Sequence, residues 1–362
     1  MSNFVQSLCA WQRAHGRHDL PWQSKDPYRV WLSEIMLQQT QVATVIDYYQ
    51  RFLERFPSIL ELAQTEQSEV MSYWAGLGYY ARARNLHRCA QIIAEQYGGV
   101  FPRQFEDIVA LPGIGRSTAH AIMAFCYGDH RPIMDGNVKR LFSRHFGIKG
   151  VTSTAAVDRQ LWAQAEEVLD EALAEKTKSE VDMACYTQAL MDFGSLICTR
   201  SKAKCDSCPI ASSCYAKQHN LQKELPTPKP KKTSPTRTTI MLLLVREGEV
   251  LLEQRPQKGI WGGLLSLPEF AEQDDLLHYL QNQGLELSPA TELIKMAAFE
   301  HIFSHFKLHI QPILFKLEAN QQLQEKSPNK AYYPLEGWPT LAIPKPVSTL
   351  LDTLAAAQTN NR

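Results

Sequence analysis

The chain has 362 residues, 44% of them hydrophobic, with only 18 Gly and 20 Pro, which predicts two globular domains. Lys and Arg number 38, and so do Asp and Glu, so the overall charge does not indicate a nucleic-acid partner and any field for one must come from local patches. The N-terminus lacks the pattern of a signal peptide and no run of 18 apolar residues occurs, so we expect a cytoplasmic protein without a membrane partner.

The N-terminal segment carries clear helix signals. Residues 4–15 predict a short helix, which ends before the Leu-Pro-Trp at 20–22. Asp26 is a candidate N-cap with Pro27 at the first helical position. A long amphipathic helix, or a pair of helices, is then expected up to Pro57.

Glu34 lies in the most apolar part of this predicted helix. Burial there would raise the pKa of its carboxyl and suit it to act as a general acid near neutral pH. The alternative is that Glu34 belongs to an exposed polar stripe with Gln38 and Gln41, and periodicity alone fits both interpretations equally well.

The Leu-Pro-Gly-Ile-Gly at 111–115 predicts a tight turn in which Gly113 and Gly115 provide backbone freedom. A helix is expected directly after it, with Ser117 in its first turn. A glycine turn that leads into a helix points several backbone N–H groups outward, an arrangement that suits a phosphate.

An acid follows this turn about 20 residues later. Asp135 is flanked by Met134 and Gly136, and Asn137, Lys139 and Arg140 come next. Taken singly, the turn is typical of an ordinary helix–helix connection and Asp135 of a helix N-cap. Together they resemble the helix-hairpin-helix with its Gly/Pro-rich loop and aspartate in the DNA glycosylase superfamily.

The eight cysteines fall into two groups. Four are scattered among apolar neighbours and are predicted to be small core residues: Cys9, Cys89, Cys126 and Cys185. The other four lie close together with the spacing C-x6-C-x2-C-x5-C: Cys198, Cys205, Cys208 and Cys214.

Disulfides are not expected in a cytosolic chain, and zinc would favour two C-x2-C pairs where this cysteine loop has one. Four thiolates in one loop can instead hold a [4Fe–4S] cluster. The spacing resembles the cluster loop of the endonuclease III and MutY glycosylases, which implies one [4Fe–4S] cluster, with zinc as the alternative. Arg200, Lys202 and Lys204 lie between the cysteines and could contact phosphates, so we interpret the cluster as a structural staple for a basic loop.

Two further motifs resemble the MutY family of adenine DNA glycosylases. SEIMLQQTQV resembles its catalytic helix, which implies that Glu34 is the catalytic acid and Gln39 a polar wedge inserted into the DNA stack. GLGYYARARNLH resembles the turn that carries an inserted aromatic residue, here Tyr79. The helix after that turn adds three arginines, for which a solvated face is the ordinary structural interpretation: Arg82, Arg84 and Arg88.

One position separates two activities within the superfamily. Bifunctional glycosylase/lyases carry a lysine nucleophile just after the hairpin, where this chain has Ser117. A serine cannot form a Schiff base with the sugar, so we expect base excision without efficient strand cleavage. Lys139, near Asp135 in the sequence, is a candidate for adventitious reaction with an abasic sugar.

We expect residues 1–222 to form an all-α, two-lobed helix-hairpin-helix glycosylase domain with an iron–sulfur loop. One lobe would be a bundle of about 25–132, and the other would join the N-terminal helix to 133–222, with DNA and the flipped base in the cleft between them. A helix is also predicted from Ala155 to Glu175, without a chemical role.

Pro-rich, basic residues 223–237 predict an extended linker, which we interpret as a solvated spacer. Beyond it, period-two apolar residues predict a β-hairpin that turns near 247–248. The residues from Gly259 to Leu264 and from Leu267 to Glu269 resemble the Nudix fold, so an α+β Nudix-like domain is expected over 238–357.

This C-terminal domain departs from the Nudix hydrolases, because the sequence after Glu269 lacks the R-E-x-x-E-E array that binds Mg²⁺. It resembles the C-terminal domain of the MutY family, which implies recognition of 8-oxoguanine in DNA. The loop that would contact the lesion there is Phe303, Ser304 and His305.

The resemblance implies a monomeric adenine DNA glycosylase that acts on adenine paired with 8-oxoguanine or guanine. Glu34 would protonate adenine, Asp135 would stabilise or trap the oxocarbenium-like sugar, and Asn137 would support this acid pair. Gly113, Gly115, Ser117 and Lys139 would contact DNA. Two alternatives are a bifunctional pyrimidine glycosylase/lyase, which Ser117 and the C-terminal domain disfavour, and a non-enzymatic lesion-binding module.

Overall fold

The computed structural model describes residues 2–174, 181–230, 233–285, 293–317, 329–336 and 338–359. The chain divides into two compact units. The first unit comprises Met1–Gln64 and Asn85–Lys231, and the second comprises Thr65–Arg84 and Lys232–Arg362.

The described part of the first unit is helical. Its helices are α1 (Ser2–His15), α2 (Pro27–Leu37), α3 (Val42–Arg55), α4 (Ile59–Gln64), α6 (Ala81–Tyr97, from residue 85), α7 (Phe105–Ala110), α8 (Arg116–Tyr127), α9 (Gly136–Phe146), α10 (Ala155–Ala174), α11 (Met183–Leu196) and α12 (Tyr215–Gln218). A short 3₁₀ turn at Cys205–Ser207 lies in the cysteine loop.

The helix signals in the N-terminal segment are confirmed. Asp26 caps α2 by accepting a hydrogen bond from the Tyr28 N–H at 2.9 Å, and Pro27 occupies the first helical position. The long amphipathic stretch forms two helices, because Gln39 has a φ of 57° and α2 cannot continue through it. A left-handed backbone at a non-glycine residue costs free energy, and such residues cluster at functional sites.

The core of this unit joins its N-terminus to its C-terminal helices. Phe4 of α1 packs on Phe142 of α9 with ring centroids 5.6 Å apart, and Trp11 packs edge-on against Phe193 of α11 at 5.1 Å. Leu161 of α10 is buried in the same cluster.

A buried ion pair joins the connection after α1 to α11. The Asp192 carboxylate is fully buried and accepts from the Arg17 backbone N–H at 2.8 Å and from its guanidinium at 2.7 and 2.5 Å. The Gln188 amide also donates to it at 2.9 Å. These four bonds satisfy a charge that would be costly to bury alone.

The second unit contains α5 (Gln67–Trp74), the first turn of α6 and a mixed sheet. The strands are β1 (Thr236–Arg246), β2 (Glu249–Gln254), β3 (Leu265–Ser266), β4 (Glu269–Phe270), β5 (Ile294–Lys295), β6 (Phe299–Ile302), β7 (Lys307–Lys316) and β8 (Lys330–Pro334). The helices are α13 (Gln273–Asn282) and α14 (Lys345–Thr359).

The sheet order is β3-β2-β1-β7-β5, with β4 on β1, β6 on β7 and β8 on β2. β1 runs parallel to β7, whereas β1 and β2 form the predicted hairpin, with φ values of 48° at Glu247 and 84° at Gly248. α13 packs on the sheet through Leu276 and Leu280 and carries no Mg²⁺-binding glutamate array. The expected architecture, a helical domain followed by an α+β domain, is confirmed.

The interpretation of residues 223–237 as a solvated spacer is wrong at its start, whereas its last two residues are exposed as expected but belong to a strand. Leu225 is buried, and its carbonyl accepts a hydrogen bond from Arg144 at 2.8 Å. The Thr227 hydroxyl accepts from the Gly150 N–H at 2.8 Å, and Thr236 begins β1.

Among the described residues, no helix is long and apolar enough to cross a membrane.

Replacing Asp192 with Asn should lower the free energy of unfolding by about 2 kcal/mol, because the Arg17 guanidinium then loses its buried counter-charge. The shift in thermal melting temperature measures this loss. Glu166→Gln is the control, since its ion pair with Arg116 is about half exposed and should contribute little. Equal melting shifts in the two variants would contradict the role given to Asp192.

Candidate functional site

A large cavity of about 1530 Å³ opens within the first unit, ample for a nucleotide. Helix ends and connections that are distant in the sequence line it, namely the end of α1, the end of α2, and the starts of α8, α9 and α11. Five of the predicted site residues line it together: Glu34, Gln39, Ser117, Asp135 and Asn137.

Glu34 projects from α2 between the buried residues Ser33 and Ile35 and is itself half-buried at the cavity wall. Burial, and to a smaller extent the nearby Asp135 carboxylate, raises the pKa of Glu34 to about 8. Among the described residues, none donates a hydrogen bond to its carboxyl that would favour the charged form. Glu34 is therefore protonated at neutral pH and has a proton to donate.

Asp135 is the N-cap of α9, as its ordinary structural interpretation predicts. Its Oδ1 accepts from the backbone N–H groups of Asn137 at 2.9 Å and Val138 at 2.8 Å. Burial raises the pKa of Asp135 above its usual value, but these two hydrogen bonds and the Arg140 guanidinium oppose the rise. Of Glu34 and Asp135, Asp135 is thus the one whose charged form the protein stabilises.

Asn137 and Arg140 connect this acid pair to the cysteine loop. The Arg140 guanidinium donates to the Asn137 side-chain oxygen at 3.0 Å, to the Gly194 carbonyl at 2.6 Å and to the Cys198 carbonyl at 2.8 Å. Gly194 must lack a side chain, because a Cβ there would lie 2.7 Å from the Cβ of Asn137. The position of Asn137 therefore depends on α11 and on the start of the cysteine loop.

The predicted glycine turn precedes α8. Gly113 has a φ of 81° and a Cβ there would meet the Cβ of Asn85 at 2.9 Å, so its freedom is required. The expectation that Gly115 also needs glycine's backbone freedom is wrong, because its backbone is extended and a Cβ there would meet no atom within 4 Å. Ser117 accepts a hydrogen bond from the Met134 N–H at 3.0 Å and so positions the residue before Asp135.

Lys139 does not line the cavity. Its ammonium group pairs with the Asp158 carboxylate of α10 at 2.5 Å. The pairing holds the amine in an ion pair with a half-buried carboxylate, away from the position that a nucleophile in the cavity would need.

The four clustered cysteines line a second cavity in the first unit: Cys198, Cys205, Cys208 and Cys214. Arg144 lies beside them, almost fully buried, and donates to the Cys198 sulfur at 3.4 Å and to the Thr199 carbonyl at 2.7 Å. As the side chains stand, no three His, Cys, Asp or Glu residues of the described chain form a metal-binding group. Arg200, Lys202 and Lys204 are exposed on the same loop.

Tyr79 lies in the second unit at the tip of a strained turn. It has a φ of 50°, follows Gly78 at 72°, and is 48% exposed. The buried Arg82 holds the turn by donating to the Leu77 and Gly78 carbonyls at 3.3 and 3.1 Å, and its guanidinium lies 5.5 Å from the centre of the Tyr79 ring. Arg82 was predicted on a solvated face, and its burial corrects that interpretation.

Phe303, Ser304 and His305 form the turn between β6 and β7 in the second unit. Phe303 is half-buried and stacks on Phe306 with ring centroids 4.5 Å apart, whereas Ser304 and His305 are exposed. The turn is thus anchored by an aromatic ring and presents a hydroxyl and an imidazole to solvent.

Sequence reasoning missed the roles of Arg140 and Arg144. Their position on one face of α9 was visible, but most of their partners are carbonyls and a thiol 54 to 81 residues further along the chain. Backbone acceptors leave no signature in a sequence, so only the three-dimensional structure identifies them.

Two family models match the chain. Residues 32–167 match the HhH-GPD superfamily of base excision DNA repair proteins, and residues 239–353 match the NUDIX domain. Among solved structures, a thermostable thymine-DNA glycosylase aligns with a TM-score of 0.52 and 27% identity, over 60% of this chain and 96% of that one.

Relatives match over nearly the whole chain. The adenine DNA glycosylase of Buchnera aphidicola subsp. Acyrthosiphon pisum (strain APS) is 36% identical, over 96% of this chain and 97% of that protein. The adenine DNA glycosylase of Homo sapiens is 31% identical, over 94% of this chain and 72% of that protein. The chain therefore belongs to the adenine DNA glycosylase family, base-excision repair enzymes that hydrolyse N-glycosyl bonds.

Proposed function

We propose that the enzyme removes adenine from pairs with 8-oxoguanine or guanine in double-stranded DNA and leaves the strand intact. The observation that carries the chemistry is the pair of carboxyl groups in one cavity, Glu34 protonated and Asp135 stabilised as the anion. Two acids with opposite protonation states are what glycosidic cleavage requires.

In this mechanism adenine is flipped out of the duplex into the cavity, which costs less for a mispaired base than for a matched one. Glu34 donates its proton to N7 of adenine, so the base leaves as a neutral molecule when the bond between N9 and C1′ breaks. Asp135 then stabilises the positive charge on the sugar or forms a bond to C1′, and Asn137 helps to hold its carboxylate in place. Water then adds to C1′ and gives one proton to the Glu34 carboxylate, which completes hydrolysis and restores the protonated acid.

Strand cleavage would need an amine that attacks C1′. Ser117 occupies the cavity position where a lysine would act, and its hydroxyl accepts a bond from the chain at Met134. Lys139 is held by Asp158. Both observations support a monofunctional enzyme.

DNA contacts are proposed at three places. The Gly113–Gly115 turn leads into α8 and offers backbone N–H groups to a phosphate. Gln39, strained and exposed at the mouth of the cavity, would fill the gap left by the flipped base. Tyr79 and the turn at 303–305 would contact the opposite base, 8-oxoguanine or guanine.

The four cysteines fit a [4Fe–4S] cluster, since all four thiols line one cavity beside the cationic Arg144. When bound, the cluster would supply cross-links that fix the loop, and it takes no part in the steps above. Because Arg140 donates to the Cys198 carbonyl and to Asn137, a fixed loop also supports the acid pair.

A single-turnover assay on a duplex with one adenine opposite 8-oxoguanine tests this proposal, with and without alkali after the reaction. Breakage at the adenine only after alkali is expected. Breakage without alkali would mean a lyase and would overturn the interpretation of Ser117. Tight binding without any abasic site would leave a lesion-binding module and overturn the roles of Glu34 and Asp135.

Replacing Glu34 with Gln should lower the single-turnover rate at least about 1,000-fold, because the amide cannot donate the proton that adenine needs. Affinity for the mispaired duplex, measured by fluorescence anisotropy, should persist. Glu54→Gln, at an exposed position of α3, is the matched control and should cleave like the wild type. A Glu34→Gln enzyme that retained most of the rate would refute the assignment.

The cleavage rate should fall as the pH rises through about 8, roughly tenfold for each further pH unit, because Glu34 must carry its proton. It should also fall on the acid side, where Asp135 becomes protonated, at a pH above the ordinary value for aspartate since burial raises its pKa. Single-turnover rates between pH 4 and 10 give this profile. Persistence of the alkaline fall in Glu34→Gln would assign it to another group.

Replacing Cys205 with Ala should abolish or reduce the iron and sulfide bound per chain and lower the melting temperature, because one of four ligands is lost. Metal analysis and visible absorption measure the effect. Cys126→Ala, a thiol outside the loop, should keep full iron content. If the protein purified without oxygen contained zinc in place of iron, the assignment of a [4Fe–4S] cluster would be rejected.

A further inference from the structure

Arg84 was predicted on a solvated helix face, yet its side chain is half-buried in the second unit. Its guanidinium donates a hydrogen bond to the Gly262 carbonyl at 2.6 Å, across 178 residues of sequence. Hydrogen bonds from a charged donor are about twice as strong as neutral ones. The contact is therefore a specific link between the first turn of α6 and the loop after β2.

The near end of this link is the turn that carries Tyr79. Arg84 lies in the first turn of α6, where its backbone N–H bonds the Tyr80 carbonyl at 3.2 Å. Two residues earlier, Arg82 binds the carbonyls of Leu77 and Gly78. The strained Tyr79 turn and Arg84 are thus joined by hydrogen bonds into one local unit.

The far end is the loop that supports Phe303. Gly262 cannot carry a side chain, because a Cβ would lie 2.4 Å from the Gln257 carbonyl oxygen, so the loop backbone is tightly fixed. The preceding residue, Trp261, is buried with a φ of 54°. Its ring lies 5.4 Å from the Phe303 ring and 5.7 Å from the His301 ring.

We infer that Arg84 is a positioning residue that joins the Tyr79 turn to the 303–305 turn, so that both recognise the base opposite adenine as one element. The path runs from Tyr79 through the α6 turn to Arg84, then from Gly262 through Trp261 to Phe303. The inference rests on the proposed function for its substrate, an 8-oxoguanine in the strand opposite the adenine. Arg84 itself contacts backbone and needs no contact with DNA.

Hydrogen exchange on the free protein tests the link without any substrate. In Arg84→Ala, the amides of residues 299–306 should exchange at least about fivefold faster than in the wild type, since the loop under Phe303 has lost its tether. Arg88→Ala, one helical turn further and exposed, is the matched control and should not change this segment. Unchanged exchange in Arg84→Ala would overturn the coupling, whatever the enzyme recognises.

Binding tests the consequence for recognition, in a Glu34→Gln background so that the duplex stays intact. The preference for adenine opposite 8-oxoguanine over adenine opposite guanine should fall about tenfold in Arg84→Ala, and less in Arg84→Lys, which keeps one charged donor. A fall of equal size for both duplexes would mean a merely structural role and would overturn the inference. If the parent protein shows no preference, the proposed lesion specificity fails, while the exchange result still decides the role of Arg84.

A double-mutant cycle gives the sharpest test. Tyr79→Leu and Ser304→Ala should have non-additive effects on affinity for the 8-oxoguanine duplex when Arg84 is present, and additive effects in Arg84→Ala. Additive effects in both backgrounds would mean that the two turns act independently. If Arg84→Ala melts well below the wild type, Arg84→Gln, which is uncharged and too short to make the same bond but stays polar, takes its place in all three experiments.

Discussion

Two neighbouring carboxyl groups in one cavity repel each other when both are ionised, and burial adds to the free-energy cost of each charge. The protein surrounds the two carboxyl groups differently. Asp135 receives two backbone N–H groups at the positive end of α9, with Arg140 nearby, whereas Glu34 receives apolar neighbours and a negative charge. The proton therefore resides on Glu34, mainly because its carboxyl is buried without a hydrogen-bond donor among the described residues, whereas the Asp135 carboxylate accepts two backbone hydrogen bonds.

The same bonds make Asp135 both a helix cap and a chemical group. A cap fixes the carboxylate to about the precision of the helix itself, which is far better than a free side chain would provide. As a consequence, any movement of α9 also moves the Asp135 carboxylate. Arg140 restrains that movement by joining Asn137 to the Gly194 and Cys198 carbonyls, and Arg144 fastens the next turn of α9 to the cysteine loop. A metal cluster that cross-linked the cysteine loop would therefore help to hold α9, and with it Asp135 and Asn137, in place through Arg140 and Arg144.

Features that depend on local backbone chemistry could be predicted from the sequence. The Asp26 cap, the Gly113 turn and the hairpin at 247–248 each follow from a few adjacent residues, and all three are present. Burial could not be predicted in the same way. The spacing of Glu34 fits a buried and an exposed position equally well, and only the resemblance to a family favoured the buried one. The sequence around Arg84 does not indicate that its side chain is half-buried, because its acceptor is a carbonyl 178 residues away.

A cavity that recognises adenine alone would also accept adenine from every normal A:T pair. The acid pair cannot prevent this, because the base leaving the sugar is the same in both cases. The cheaper extrusion of a mispaired base contributes a few kcal/mol. On the proposed function, the remaining discrimination has to come from the base that stays in the opposite strand.

The second unit keeps a Nudix-like sheet without the glutamates of a hydrolase, and the turn at 303–305 projects from its β6–β7 hairpin. A rigid sheet edge is a suitable platform for such recognition, because a turn that reads one added oxygen on a purine must hold its donors and acceptors in place before the DNA arrives.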